Sequence, residues 1–439
     1  MESKKKRILF VSDPLSLVTG LAYVAGSFAK YFDKKPDQYE LGYYTLRGVF
    51  EDKIRAVDLS EKQLDNLKIF TSKEVNNPNL IFNNFTKVIS EFNPHIVITV
   101  ADPWDLEVVA FNELRYSYCW VAYTTIEVSD IYSDRVFNDS SVVKRNFKSI
   151  YDILSRADLI IPVTQMGKNV LKNLEINGNH LNNICEENIY NGLDVEQRLE
   201  KKISKEKVFQ GFLKDDNFVF MSLGVNSERK KMDQVILAFH QFMLRLAKER
   251  DHNINKVKLY LHTNLHSAPG GPDLMAVINE CKLYDSVLGM AQNSFATKKQ
   301  IYELYRACDV YIGLPGGEGF GYGFAEAMLN ELPVIYINYG GHVEFAKYGG
   351  LPVKVRDKIY AVKLGMKWAL PDLKDASQQM YKLYKNSHLR KELGKQGSEF
   401  VINNLSWDKI GDQLERIIID YYEKNEAQNL YGMKFKRIG

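Results

Sequence analysis

Leu314-Pro315-Gly316-Gly317-Glu318-Gly319-Phe320-Gly321-Tyr322-Gly323-Phe324-Ala325-Glu326-Ala327-Met328-Leu329 is the most informative stretch of this 439-residue chain. An apolar run over 309–314 precedes it and reads as a buried strand, and the residues after the glycines enter a helix, which makes a strand, a glycine loop and a helix in series. Glycines at 316, 317, 319, 321 and 323 let the backbone turn tightly and approach a ligand where a β-carbon would intrude. The helix that follows offers free N–H groups and a positive dipole end, a natural seat for phosphate. Glu318 in the loop and Glu326, about one turn into the helix, bracket that seat. Carboxylates accept hydrogen bonds from paired hydroxyls, so a ligand with a sugar at one end and a ribose at the other suits them. Taken alone, the stretch reads first as a glycine-rich turn with two solvated glutamates.

Working outward, short β-rich runs alternate with amphipathic stretches along the whole chain, the mark of a parallel sheet with crossover helices, so the class is α/β. Strands are expected at 8–12, 41–45, 95–100, 119–124 and 159–163, with helices at 21–32 and 80–92. A charged segment at 196–207 lacks apolar periodicity and reads as a linker. Beyond it, strands at 218–224, 257–263, 309–314 and 334–338 alternate with helices at 233–250, 273–281 and 298–307, and a helical tail covers 389–425. Two successive Rossmann-like units are expected, and the length, at roughly 150 residues per domain, agrees. The expected division is 1–205, 206–400 and a tail, 401–439, that packs back on the first unit, with 431–439 loosely held.

Composition narrows the function. The 58 basic against 55 acidic residues leave a net charge of +3, too small a field for a nucleic-acid coat, so any anion site is local. The run Lys4-Lys5-Lys6-Arg7 reads as a solvated lead-in to the first strand. Cys119, Cys185, Cys281 and Cys308 lie far apart with no paired spacing and read as reduced core thiols. No secretory leader and no apolar run of roughly 20 residues is visible, which makes the cytoplasm the expected compartment, with peripheral contact at a membrane surface left open.

Other ligand motifs fit poorly. Gly-x-Gly-x-Gly after an acid, late in the chain, is not a dinucleotide fingerprint, and no P-loop occurs. His262 and His266 stand four apart, but in a strand-to-loop segment with no glutamate to complete a helical metal motif, so no metal is expected there. Arg229-Lys230-Lys231, after the strand at 218–224, is either a solvated turn or, beside the carboxylate loop, a phosphate clamp.

Glu318 and Glu326 with seven residues between them, then Leu332-Pro333-Val334-Ile335 and Gly340-Gly341-His342-Val343-Glu344, resemble the retaining GT-B glycosyltransferases of family GT4. Asn191-Gly192-Leu193-Asp194 is similar to the family's Asn-Gly-Val-Asp at the interdomain boundary, and Arg156-Ala157-Asp158-Leu159-Ile160-Ile161-Pro162 to the strand before it. Ser222-Leu223-Gly224 through Arg229-Lys230 is similar to the strand and basic turn that open the second domain, so the likeness covers most of 150–350.

The resemblance implies a GT-B fold, two Rossmann-like domains facing across a cleft with a C-terminal helix from about Ser406 crossing back. It implies a nucleotide-diphosphate-sugar donor bound by the second domain, an acceptor of unspecified chemistry at the first, no cofactor, no metal and no nucleic acid. By it, Arg229 and Lys230 neutralise the departing diphosphate, with Lys231 a competitor for the second role, and Glu318 lies near the donor sugar. It also has Glu326 hold the ribose, the amides of Phe320, Gly321, Tyr322 and Gly323 serve the phosphates, and Gly340-Gly341 face them. Gly20, after Thr19, matches the family's loop over donor and acceptor, though with one glycine where members carry two. Val225 stands where members often place an Arg, and Tyr123-Thr124-Thr125 where many have a His. Asp102 and Glu127, each after its own strand, are candidates to replace that His or to meet the acceptor, and also fit as surface carboxylates. Retention implies front-face attack, with the leaving phosphate taking the acceptor's proton. A nucleotide-sugar epimerase or phosphorylase of the same fold, or a non-catalytic sugar-binding protein, is the alternative.

Overall fold

A computed structural model describes residues 5–46, 66–71, 78–129, 150–176, 178–266, 270–290, 296–361 and 366–427. The tail at 431–439 lies outside them.

The first sheet is built from β1 (Lys6–Ser12), β2 (Tyr39–Thr45), β3 (Leu67–Thr71), β4 (Ile96–Val100), β5 (Cys119–Thr124) and β6 (Leu159–Pro162). All pairs are parallel, in the order β3-β2-β1-β4-β5-β6. The second repeats the plan with β7 (Phe218–Leu223), β8 (Val257–His262), β9 (Val287–Gly289), β10 (Val310–Gly313), β11 (Val334–Ile337) and β12 (Gly350–Val353), in the order β9-β8-β7-β10-β11-β12. Runs such as Ile8-Leu9-Phe10-Val11 are wholly buried because helices cover both faces of a parallel sheet.

Six helices position the site or tie the lobes. They are α1 (Gly20–Asp33), α2 (Gln165–Lys172), α3 (Met232–Lys248), α4 (Lys298–Ala307), α5 (Tyr322–Leu329) and the terminal α6 (Trp407–Ala427). The helical tail expected as one run is broken: a helix over Ser387–Asn404 ends before α6 begins. The break lies where the chain pairs with Leu193, in the stretch between the strands of the two sheets, Leu193 N–H donating to the Leu405 carbonyl at 2.7 Å and Trp407 N–H to the Leu193 carbonyl at 3.2 Å. From there α6 lies along α1, where Tyr31 reaches Glu415 at 2.8 Å and Gly411 leaves room for the Tyr31 ring.

The edge strands β3, β9 and β12 and an antiparallel pair, Val355–Ala361 with Met366–Pro371, escaped the sequence reading. They are short or solvent-facing, without a sustained apolar period. The charged linker is held: Arg306 donates to the carbonyls of Glu200 at 2.6 Å and Lys201 at 3.2 Å.

Strand order reverses between β1 and β4 in one sheet and between β7 and β10 in the other. In open α/β sheets ligands bind outside the carboxyl ends of strands at such a switch point. The loops at both points face one cavity.

Candidate active site

A cavity of 410 Å³ lies between the lobes, lined by Gly20, Asp102, Tyr123, Thr125 and Glu127 from the first and by Val225, Arg229, Lys230, Glu318 and Glu326 from the second. Phe320, Gly321, Tyr322 and Gly323 line it as well.

The basic turn after β7 splits three adjacent cations between two places. Lys231 takes a left-handed conformation (φ 52°) at the start of α3, and its ammonium sits 5.3 Å from the Trp368 ring centre, buried and outside the cavity lining. Arg229 and Lys230 face the cavity. The turn is fastened to the glycine loop, Gly316 N–H donating to the Arg229 carbonyl at 2.7 Å.

Glu318 is the centre of the charge cluster. One carboxylate oxygen accepts from Lys230 Nζ at 2.5 Å, and the other accepts from the Arg229 guanidinium, which also donates to the Gly317 carbonyl at 2.8 Å. Burial pushes the Glu318 carboxyl up, but Lys230 and Arg229 overcome that and bring it down to about 2. Glu127 forms an ion pair with the other side of Arg229 at 3.2 Å; burial raises its pKa, Arg229 opposes, and nearby Glu318 adds to the rise.

Two glycines of the loop are required by the opposite lobe. A β-carbon on Gly317 would meet Val128 Cγ1 at 2.4 Å, and one on Gly319 would meet Thr125 Cγ2 at 2.1 Å. The sequence reading assigned these glycines to ligand approach; here they let the loop touch 125–128. Gly321 begins α5 with φ 89°, which L side chains rarely adopt. No atom lies within 4 Å of a β-carbon built on Gly20, so space does not demand glycine there.

Gly340 and Gly341 do not line the cavity but sit beneath the Glu318 loop: Gly341 N–H donates to the Glu318 carbonyl at 2.7 Å, and a β-carbon on Gly340 would meet that carbonyl oxygen at 2.8 Å. The turn thus shapes the loop, where the resemblance had it face phosphates. His342, buried and stacked on Phe324 at 4.4 Å, has Nε2 3.1 Å from the Ile337 carbonyl, and burial lowers its pKa to about 4.

Glu326 accepts from the Tyr305 hydroxyl at 3.4 Å; burial raises its pKa and Lys298 opposes. Lys298, at the head of α4, crosses to Asp194 at 2.6 Å and donates to the Tyr23 hydroxyl at 2.6 Å. That hydroxyl donates to Asp194 at 2.9 Å and accepts from Trp407 Nε1 at 3.0 Å, joining both lobes and α6 near Glu326, on which Lys298 acts. Sequence reasoning missed Lys298, Tyr23 and Tyr305, which carry no local motif; only Asp194 was marked. His262 meets the Tyr260 hydroxyl at 2.9 Å, and among the described residues no group of three or more His, Cys, Asp or Glu is placed to hold a metal ion.

Known structures share this fold. The chain is similar to Anabaena Alr3699/HepE in complex with UDP and glucose, at TM-score 0.67 and 16% identity over 94% of this chain and 100% of that one. It is similar to sucrose-phosphate synthase from Thermosynechococcus elongatus, at TM-score 0.70 and 14% identity over 96% and 100%. WaaG, a glycosyltransferase involved in lipopolysaccharide biosynthesis, aligns at TM-score 0.61 and 12% identity over 94% and 99%. The fold is GT-B. Within this GT-B chain, residues 291–400 match the model of glycosyl transferases group 1, a span that holds α4, the glycine loop, both glutamates and the Gly340-Gly341 turn. No curated protein sequence matches the chain. Among the described residues no helix is long and apolar enough to cross a membrane.

Proposed function

We propose that this protein is a retaining glycosyltransferase that moves a hexosyl group from a nucleotide-diphosphate sugar to an acceptor hydroxyl. The observation that carries the reading is the convergence of Glu318, Arg229, Lys230 and Glu326 on one interlobe cavity. Breaking the bond between sugar and diphosphate leaves negative charge on the β-phosphate, and a guanidinium and an ammonium preplaced in a half-buried cleft stabilise that charge as it forms. Glu326, one turn into α5, is suited to accept from ribose hydroxyls, and the first turn of α5 supplies amides to the phosphates.

Glu318 is held ionised, so it accepts hydrogen bonds from the donor sugar and keeps the two cations in place. In the proposed front-face course the acceptor hydroxyl attacks from the side the diphosphate leaves, and the departing phosphate oxygen takes its proton. No carboxylate becomes a covalent nucleophile. Arg229 and Lys230 supply the positive charge, so the reaction is expected to survive chelators, and the cytoplasm, where sugar nucleotides are made, is the proposed compartment.

Incubation with radiolabelled UDP-, GDP- and ADP-sugars, with and without a panel of acceptors, tests the reading. Acceptor-dependent transfer with the anomeric configuration kept supports it. Acceptor-independent conversion of the donor, a requirement for free phosphate, or binding without any turnover would each assign the cleft a different activity.

A further inference from the structure

The Arg229 guanidinium is engaged from both lobes. Nη1 serves the Gly317 carbonyl and Glu318, which belong to the same lobe as Arg229, while Nη2 faces Glu127, which the first lobe presents from the loop after β5. The first pair of contacts travels with Arg229 whenever the lobes move, because the Gly316 N–H to Arg229 carbonyl bond ties turn and glycine loop together. The contact with Glu127 does not. It is the edge of the guanidinium that a ligand can take.

We propose that Glu127 is a lobe-borne gate on the diphosphate seat: it occupies Arg229 when the cleft is empty and yields the guanidinium to the incoming diphosphate. This rests on the assignment of Arg229 and Lys230 to the donor's phosphates. Three carboxylates of the lining, Asp102, Glu127 and Glu318, lie close enough to act on Arg229, and among the described residues only Lys230 joins it as a cation in the cavity wall. Lys230 is balanced by Glu318, so an anion entering this cleft gains little until a carboxylate gives way. Glu318 is fixed by two cations and Glu127 by one, which makes Glu127 the carboxylate that is displaced. Its half-buried position sharpens the exchange, since burial already disfavours its charge and the loss of Arg229 removes what offsets that. The gate also explains why the pair crosses the cleft: Glu127 adds one link between the lobes through Arg229, and the donor's phosphate takes the place of that link.

Removing the charge of Glu127 is therefore expected to strengthen diphosphate binding, the reverse of what loss of a binding or structural residue does. The test is titration calorimetry of inorganic pyrophosphate into the full-length protein as wild type, Glu127→Gln and Glu127→Ala, each repeated with Arg229→Gln. Both Glu127 variants are expected to bind pyrophosphate about tenfold tighter than wild type, since a like charge beside the phosphate is gone. With Arg229→Gln that gain is expected to disappear. Equal or weaker binding by both Glu127 variants, with wild-type binding that still depends on Arg229, overturns the gate and leaves the phosphate assignment standing. Wild-type pyrophosphate binding that is indifferent to Arg229→Gln overturns both.

Discussion

Glu344 Oε1 accepts the backbone N–H of Met166 at 2.7 Å, a hydrogen bond that spans the two lobes. The other carboxylate oxygen accepts from Gln165 N–H at 3.0 Å and from the Tyr190 hydroxyl at 2.8 Å. A second-lobe carboxylate thus sits on the N-terminus of α2, where the helix dipole favours negative charge. Glu344 follows the Gly340-Gly341 turn that supports the Glu318 carbonyl, so the same short segment ties lobe contact to the shape of the carboxylate loop.

Glu344→Ala is expected to lower stability by about 1–2 kcal/mol, the scale of a lost helix cap and its charged hydrogen bonds. Urea denaturation measures this. Scattering in solution is expected to show a more open molecule. Unchanged stability and dimensions would remove Glu344 from the interlobe contact.

Lys230 and Lys231 are neighbours with different expected effects. Lys230→Ala is expected to cut kcat by roughly a hundredfold, as for loss of one preplaced group that stabilises transition-state charge. Lys231→Ala, which loses only a contact with Trp368, is expected to leave kcat within a few-fold and to cost about 1 kcal/mol of stability. Steady-state kinetics with the active donor separates them.

Gly319→Ala drives a methyl group into Thr125 and toward the Ile126 carbonyl, at 2.1 and 3.2 Å. A loss of about 1–3 kcal/mol is expected from such overpacking. Adding Thr125→Ser removes the methyl group that is struck and is expected to restore part of the loss, read by thermal denaturation of the single and double variants.

Acid sensitivity follows from Glu318. Its folded pKa of about 2 lies below the ordinary 4.5, so its ion pairs contribute stability that is complete above 4.5 and is lost as pH falls toward 2. Denaturant titrations from pH 7 to pH 2.5 are expected to show wild type losing its advantage over Glu318→Gln across that window. An advantage constant with pH would mean that Glu318 is not held ionised by Arg229 and Lys230.

Much of the fold was legible in the sequence because buried parallel strands are nearly all apolar: Ile8 to Val11, Ile96 to Val100 and Cys119 to Thr124 announce themselves by composition. Edge strands with one solvated side, such as Leu67–Thr71, do not. At the site, Glu318, Glu326, Arg229 and Lys230 were legible as candidates because they stand in local motifs, and they line one cavity. Lys298, Tyr23 and Glu127 act through partners far away in sequence, so only folding brings them to Asp194, Trp407 and Arg229. Likewise, the glycines at 317 and 319 were visible as glycines, while the surface they make room for was not.

The most direct measurement is a thermal-shift panel of UDP-, GDP- and ADP-sugars on wild type and on the Arg229→Gln, Lys230→Gln double variant. A ligand at a hundred times its dissociation constant adds about 2.7 kcal/mol of stability. At least one sugar nucleotide is expected to stabilise the wild type, and the double variant is expected to lose that shift. Failure of all three classes to stabilise the wild type, or a shift that survives the loss of both cations, would contradict a donor site at Glu318, Arg229 and Lys230.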